Sequence, residues 1–414
     1  MIIGAKKMQK LIMLQLFMIP VIMLARSLFG LPSSVFHIYD IVLCLQAVCV
    51  LYFIKDAVRA VEFKWLIVYF VVYTAFLLLT QIFQSVPLLV SLMAYRRIYR
   101  FYLFFIICSV FLKLCDIDKI MQILLKLQIF NFALTMYQYF VQKLPQDNIG
   151  GIFGTIVGVN GYSNVYLCII CTYVLVKYFS KQETVKSVLW IYGSTLLITA
   201  ITELKLMFIE VIAIVVMTAI FYRPKEWRQK VKVTAAILLL EAISLLIFNA
   251  LYPEHMLILI NKDAFLQYST EVILGYNISR LKAFSEINEL FFKGNLLNNM
   301  FGYGFGNCEV GSAFYEIYSE YHYTWFTHQV TFLETGFVGV VLYCLFYAMI
   351  FFYAWYLKKK DSENECYYVF TQIICALCAL WFIYNQSTRT EPAYMIFFAL
   401  TIPFIVFKEW RRNK

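Results

Sequence analysis

The residues best suited to chemistry are a histidine and a carboxylate where a long polar segment meets an apolar one. His328 ends the polar segment, and Glu334 lies inside the apolar run that follows. An imidazole with a pKa near ~6.5 accepts a proton at neutral pH, so His328 could orient or deprotonate an acceptor. Alternatively it is a hydrogen-bonded histidine at a helix start. Glu334 is almost two turns deeper, where it either pairs with a basic residue or helps to activate an acceptor.

A second set of candidate residues is cationic and scattered along the chain. Its members are Arg96, Arg97, Arg100, Lys205, Arg280 and Arg389. Guanidinium groups at a lipid–water boundary suit a diphosphate, because each can donate two parallel hydrogen bonds to phosphate oxygens. The alternative is that each arginine reaches ordinary lipid headgroups or pairs with a nearby acid.

The composition shows what must position these residues. Hydrophobic residues make up 62% of the 414 residues and charged residues 14%, whereas soluble domains have about a quarter charged residues. Most apolar runs are long enough for helices that cross a membrane. We therefore predict an all-α integral membrane protein with about 12 transmembrane helices in a single polytopic domain over residues 1–414. The predicted spans are roughly 11–29, 36–54, 64–84, 98–115, 119–141, 161–179, 187–202, 204–222, 232–252, 329–357, 366–385 and 392–409.

Lysine and arginine predict the orientation. Most of the 35 basic residues fall in short segments on one side, which the positive-inside rule makes cytoplasmic. These segments are Lys6 to Lys10, Lys55 to Lys64, Lys113 to Lys119, Lys177 to Lys186, Arg223 to Lys232, Lys358 to Lys360 and Lys408 to Lys414. Both termini are then cytoplasmic, and residues 253–328 form one large extracytoplasmic loop before the last three spans. The six cationic candidates share that outer face, which favours a phosphate site. The net charge of +10 is therefore a topology signal and does not indicate nucleic-acid binding.

The long loop contains two recognisable patterns. Leu281, Phe284, Ile287, Leu290 and Phe291 recur at helical spacing, which predicts an amphipathic helix on the outer membrane surface. The glycine run at 302–306 predicts a tight turn with positive φ angles. The cysteine pairs with CxxC spacing lie within predicted spans and are interpreted as packing residues. No cluster resembles a metal site, so no cofactor is expected.

Other charges fall inside predicted spans, and they keep a different function open. Asp40, Lys126, Glu210 and Glu241 are such residues, together with Glu203 where the eighth span begins. Intramembrane charges usually face the bundle interior and pair with one another. They could instead form a path for transport.

Taken in order, several short motifs resemble a known family. They are Gly158–Asn164, Thr202–Lys205, Ser279–Leu281, Gly302–Gly306, the stretch from His328 through Glu334 and Gly336 to Gly339, and Arg389. With many spans and one late outer loop, the chain resembles bacterial polysaccharide repeat-unit polymerases of the Wzy type, in the O-antigen polymerase/ligase superfamily. Members with the ligase pattern often have His-Asn where this chain has His328-Gln329, and Lys205 stands where many have arginine. These differences argue against a ligase.

The resemblance implies a metal-independent glycosyltransferase in a bacterial cytoplasmic membrane, acting on undecaprenyl-diphosphate-linked repeat units. A hydroxyl of the incoming unit would attack the anomeric carbon of the growing glycan, building capsule, exopolysaccharide or O-antigen. The expected catalytic residues are His328, Arg280 and Arg389, and the expected substrate-binding residues are Lys205, Arg96, Arg97, Arg100 and Glu334. Expected partners are the lipid-linked substrates, membrane lipids and the pathway's chain-length regulator and flippase, with no nucleic acid. The alternatives are a ligase and a flippase or transporter of lipid-linked sugars.

Overall fold

The computed structural model describes residues 5–52, 64–222, 227–270 and 278–412, and this part of the chain contains helices and no strand. The all-α prediction is therefore confirmed for these residues. The long helices are α1 (Ala5–Phe29), α2 (His37–Tyr52), α3 (Lys64–Phe83), α4 (Leu88–Phe111), α5 (Leu114–Phe140), α6 (Asn160–Phe179), α7 (Val185–Thr202), α8 (Lys205–Phe221) and α9 (Trp227–Leu251). A segment of short helices follows: α10 (Pro253–Ile260), α11 (Lys262–Thr270), α12 (Ala283–Ile287), α13 (Leu296–Phe301) and α14 (Ala313–Tyr318). The last three are α15 (Thr327–Lys360), α16 (Glu365–Tyr384) and α17 (Ala393–Arg412).

Nine of the described helices are long and apolar enough to cross a membrane, as in a multi-pass membrane protein. Each of the twelve predicted spans overlaps one long helix, but three of these helices fall outside the nine. Helix α2 has 16 residues and α8 has 17, while α4 carries three arginines. The count of twelve crossings stays a prediction. Lys55, Arg59, Arg223 and loop residues 271–277 lie outside the described part.

The helices divide into a buried centre and an apolar rim. In the most hydrophobic stretch of α6, 89% of residues are buried, whereas the share is 33% in α1 and 28% in α9. The rim helices expose large apolar side chains such as Val21, Ile82 and Leu246. Apolar side chains of this kind are stable in contact with lipid. Unsatisfied polar groups are costly there, so the polar contacts of the molecule lie at its centre.

The amphipathic pattern in the segment between α9 and α15, called the loop segment below, forms a helix that packs on protein. Helix α12 continues as a turn of π-helix to Phe292, and Ile287 and Phe291 are buried. The ring centroid of Phe284 lies 4.8 Å from that of Phe332 in α15. Leu281 and Leu290 are about half exposed. The buried side of this helix thus faces α15.

Helix α15 is broken at Gly336, and the glycine run packs against the break. Gly336 has φ 61° and ψ −166°, outside helical values. The break frees two carbonyls of the preceding turn: Leu333 O accepts from Tyr303 N at 2.8 Å and Glu334 O from Gly304 N at 3.0 Å. Gly302, Gly304 and Gly306 all have positive φ, as predicted for the turn. The loop segment is therefore bound to α15 through backbone hydrogen bonds.

Candidate functional site

A polar cleft of about 650 Å³ lies where α6 and α8 begin and α16 ends. Its walls come from the turns before α6 and α8, from residues just before α15, from Arg280 and from the connection between α16 and α17. The first N–H groups of a helix have no partner in the helix, and the helix dipole makes this end positive. Two helix N-termini at one cleft therefore favour an anion there.

Arg280 is held at the cleft by two aromatic rings. Its guanidinium carbon lies 4.8 Å from the ring centroid of Phe326 and 4.7 Å from that of Tyr384. Cation–π contacts hold the plane of the guanidinium in position. All three residues line the cleft, and Arg280 is partly exposed to it. This geometry can present parallel N–H donors to a phosphate.

His328 lies behind Arg280 and is buried. Its Nε2 is 3.0 Å from the carbonyl oxygen of Arg280, and its Nδ1 is 3.2 Å from that of Phe382. A neutral imidazole has one N–H and can donate to only one of these carbonyls, so both bonds form only in the protonated ring. His328 does not itself line the cleft. The ring thus positions the Arg280 backbone, and its role as a general base stays a prediction.

The second cation of the cleft is Lys205. Its Nζ lies 2.7 Å from Glu203 Oε1, and His255 Nε2 lies 3.3 Å from the same oxygen. Glu203 connects α7 to α8 with φ 59° and ψ 32°, a left-handed conformation that is uncommon for glutamate. Strained backbone of this kind is concentrated at functional sites. The turn places a carboxylate and an ammonium side by side in the cleft wall.

Arg389 belongs to a separate ion-pair network. Its Nη2 lies 2.6 Å from Glu309 Oε1 and 3.1 Å from Glu334 Oε2. Arg97 also binds Glu309, and Glu334 Oε1 accepts from Gly306 N at 3.0 Å. Burial lowers the pKa of the Arg389 guanidinium, but Glu309 and Glu334 together raise it above its ordinary value. The network joins the loop segment to α4, to α15 and to the connection between α16 and α17. Arg389 does not line the cleft.

Arg96 and Arg100 are also paired with acids away from the cleft. Arg96 Nη2 lies 2.7 Å from Asp40 Oδ2, and Arg100 Nη2 lies 3.2 Å from Glu391 Oε1. The structure therefore brings Arg280 and Lys205 together in the cleft and joins Arg97 to Arg389 and Glu334 elsewhere. For Arg96, Arg97, Arg100 and Arg389, the alternative expectation of pairing with an acid describes the observed geometry.

Several residues that line the cleft were not predicted as site residues from the sequence. These include Asp147, Asn160, Asn164 and Trp325. The available signal was position: Asn160 and Asn164 start a helix on the predicted outer face. Their proximity to Arg280 depends on tertiary packing. Among the described residues, no three His, Cys, Asp or Glu side chains lie close enough to hold a metal ion.

An apolar groove of about 370 Å³ lies next to the cleft, between α15 and α16. It begins at Tyr343 and Phe382 and runs along both helices to Phe352, whose side chain is exposed. The carbonyl oxygen of Phe382 lies 3.2 Å from His328 Nδ1, and Phe382 stands two residues before Tyr384 in the cleft. The groove and the cleft have no lining residue in common, and Phe382 and Tyr384 are the lining residues of the two that stand nearest along α16. No protein-family model matches the chain, and a search of curated proteins finds no match either.

Proposed function

We propose that this protein polymerises undecaprenyl-diphosphate-linked oligosaccharide repeat units on the outer face of a bacterial cytoplasmic membrane. The observation that carries the proposal is the cleft, which combines Arg280, Lys205 and two helix N-termini beside an apolar groove. Anion-binding groups next to a lipid-sized channel suit a substrate with a diphosphate between a sugar and a polyprenyl chain. The proposed topology has twelve spans, with both termini in the cytoplasm.

The orientation of the cleft follows from charge. In the proposed topology, α6 and α8 run from the outer face inward, so their N-termini lie outside. The basic clusters Lys177 to Lys186 and Lys358 to Lys360 then lie at the opposite ends of neighbouring helices. The cleft accordingly opens to the side where polysaccharide is assembled in the proposed pathway.

Arg280 and Lys205 are the proposed diphosphate ligands. The guanidinium of Arg280 is held by the rings of Phe326 and Tyr384, so little conformational freedom is lost when it binds. As the glycosidic bond breaks, negative charge grows on the leaving diphosphate, and the two cations stabilise it. Arg389 is assigned a positioning role, because it does not line the cleft and its guanidinium joins Glu309 and Glu334.

The proposed reaction is a displacement at the anomeric carbon of the growing glycan. A hydroxyl oxygen of the incoming unit forms the new C–O bond while the bond to the diphosphate breaks, and the hydroxyl proton moves to a carboxylate. Glu203 is the proposed acceptor of that proton, because it lines the cleft beside Lys205. His328 is the second candidate, although both its ring nitrogens face carbonyls.

A transport function is the second candidate, and one observation favours it. The carboxylate of Glu241 is buried in α9 and has no hydrogen-bond partner among the described residues. Glu210 is also buried, but Trp381 Nε1 and Asn164 Nδ2 both donate to it. A transporter needs such groups along a path across the membrane. The Glu241→Gln variant should lose transport if this alternative holds and should still polymerise if it does not.

The polymerase proposal is tested with purified protein in nanodiscs and lipid-linked repeat units from its own host. We expect a ladder of products on a gel, and we expect Arg280→Ala and Glu203→Gln to abolish it. Lys126→Ala is the matched control, since Lys126 is exposed on α5. A ladder of wild-type intensity from Arg280→Ala contradicts the proposal, and a single transfer to another acceptor favours a ligase.

A further inference from the structure

Two asparagines of the cleft have acceptor oxygens that no donor in the described part of the chain reaches. Asn160 and Asn164 stand four residues apart at the start of α6, so they lie on one face of the helix, and both line the cleft. Asn164 is 3% exposed. Both Oδ1 atoms are buried, and no donor from the described residues bonds either. Buried polar atoms without a partner are rare in folded proteins.

The amide of Asn164 is oriented by a buried acid. Its Nδ2 donates to Glu210, which also accepts from Trp381 Nε1 at 2.7 Å and from Cys168 Sγ at 3.3 Å. A flipped amide would turn its oxygen towards this carboxylate and lose the hydrogen bond. Since Nδ2 is committed to Glu210, Oδ1 is the atom left for a ligand.

Asn160 is oriented in the same way by a second acid. Its Nδ2 donates to Asp147 Oδ1 at 3.2 Å, and Asp147 also lines the cleft. Two carboxylates thus hold two amides whose oxygens accept no hydrogen bond from the described residues. The two asparagines are about one helical turn apart, so their side chains are neighbours on the same face of α6.

These acceptors select the chemistry of the ligand. A diphosphate carries acceptors only and cannot bond Oδ1, so the asparagines are not part of the anion site. A sugar hydroxyl donates and satisfies them. The cleft therefore offers donors from Arg280 and Lys205 for phosphate and acceptors from α6 for hydroxyls.

We propose that Asn160 and Asn164 form a subsite that binds two hydroxyls of the sugar carried on the diphosphate. The inference rests on the proposed function, since it needs a glycosyl diphosphate in the same cleft. Glu210 and Asp147 act as positioning residues that keep the two amides in orientation.

The test measures binding by the full-length protein in detergent of farnesyl diphosphate and of farnesyl diphosphate linked to glucose, galactose or N-acetylglucosamine. At least one sugar should raise affinity over farnesyl diphosphate alone. Asn164→Leu and Asn160→Leu should each reduce that gain by about 2- to 12-fold, the range for one hydrogen bond, and leave farnesyl diphosphate binding unchanged. The double variant Asn160→Asp with Asp147→Asn exchanges the bonded pair and keeps an acceptor at position 160, so it should restore the gain.

The outcomes separate the two proposals. If no sugar raises affinity, or if both leucine variants keep the full gain, the subsite is refuted. If farnesyl diphosphate does not bind, or binds Arg280→Ala as tightly as the native protein, the proposed function fails instead. Asn160 is only partly buried, so its variants remain informative even if Asn164→Leu does not fold.

Discussion

Replacing Arg389 with methionine separates a structural role from a role in phosphate binding. Methionine replaces the aliphatic stem of the side chain but leaves the Glu334 carboxylate without its cation. Glu334 is 1% exposed, and the Arg389 side chain is 7% exposed. Removing one partner of a buried ion pair costs about 3–5 kcal/mol. Glu334 still accepts from Gly306 N, and Glu309 keeps Arg97, so we expect a loss near the lower end, about 3 kcal/mol.

The free energy of unfolding is measured by equilibrium denaturation in mixed micelles. The double variant Arg389→Met with Glu334→Gln removes both buried charges and should recover about 2 kcal/mol of the loss. Arg96→Met is the control, since the Arg96 side chain is 36% exposed beside Asp40, and should cost at most about 1 kcal/mol. The reasoning is refuted if Arg389→Met unfolds like the native protein while its affinity for farnesyl diphosphate falls tenfold.

Three further predictions concern the break of α15 at Gly336, the packing of the loop segment and the contact of His328 with the backbone of Arg280. In Gly336→Ala the alanine must adopt the positive φ of Gly336, which side chains rarely tolerate, and its Cβ meets the backbone of Met300. It should therefore lower stability by about 2 kcal/mol, whereas Gly193→Ala, which meets no atom within 4 Å, should raise stability by up to about 1 kcal/mol. Equal effects of the two would contradict the account of the break. Cys308 is buried, and burial raises the pKa of its thiol, so an impermeant maleimide should label it only after denaturation. Labelling is measured by mass spectrometry of the Cys308 peptide. Rapid labelling of the native protein would contradict the packing of this segment. His328→Phe keeps a ring but loses the one hydrogen bond that a neutral imidazole can donate, here from Nε2 to the carbonyl of Arg280. Farnesyl diphosphate affinity should therefore fall about threefold, against tenfold or more for Arg280→Ala; an affinity unchanged in His328→Phe would exclude the positioning role.

The long helices were predictable because their cause is local. An apolar run of sufficient length must satisfy its own backbone in lipid, and a helix does so whatever its neighbours are. Every predicted span accordingly overlaps a helix. Pairing of the arginines with acids was foreseen as an alternative, since a charge in an apolar setting requires a partner.

The grouping of residues within the site was not predictable from one sequence. Glu309 and Arg389 are eighty positions apart, and nothing local indicates that they meet. The break in α15 was also not predicted, because the apolar pattern continues through Gly336. Asn160 and Asn164 looked like the polar start of a helix, and their role depends on Glu210 and on the position of Arg280. Such features follow from tertiary packing, which a single sequence does not encode locally.

The most direct test of the central claim is a cryo-EM structure of the protein in nanodiscs with undecaprenyl diphosphate. The account predicts diphosphate density within hydrogen-bonding distance of Arg280 and Lys205, with the polyprenyl chain along the groove from Tyr343 to Phe352. Arg389 should remain bound to Glu309 and Glu334 in the same map. A diphosphate bound at Arg389, or a cleft that stays empty at saturating lipid, would contradict it.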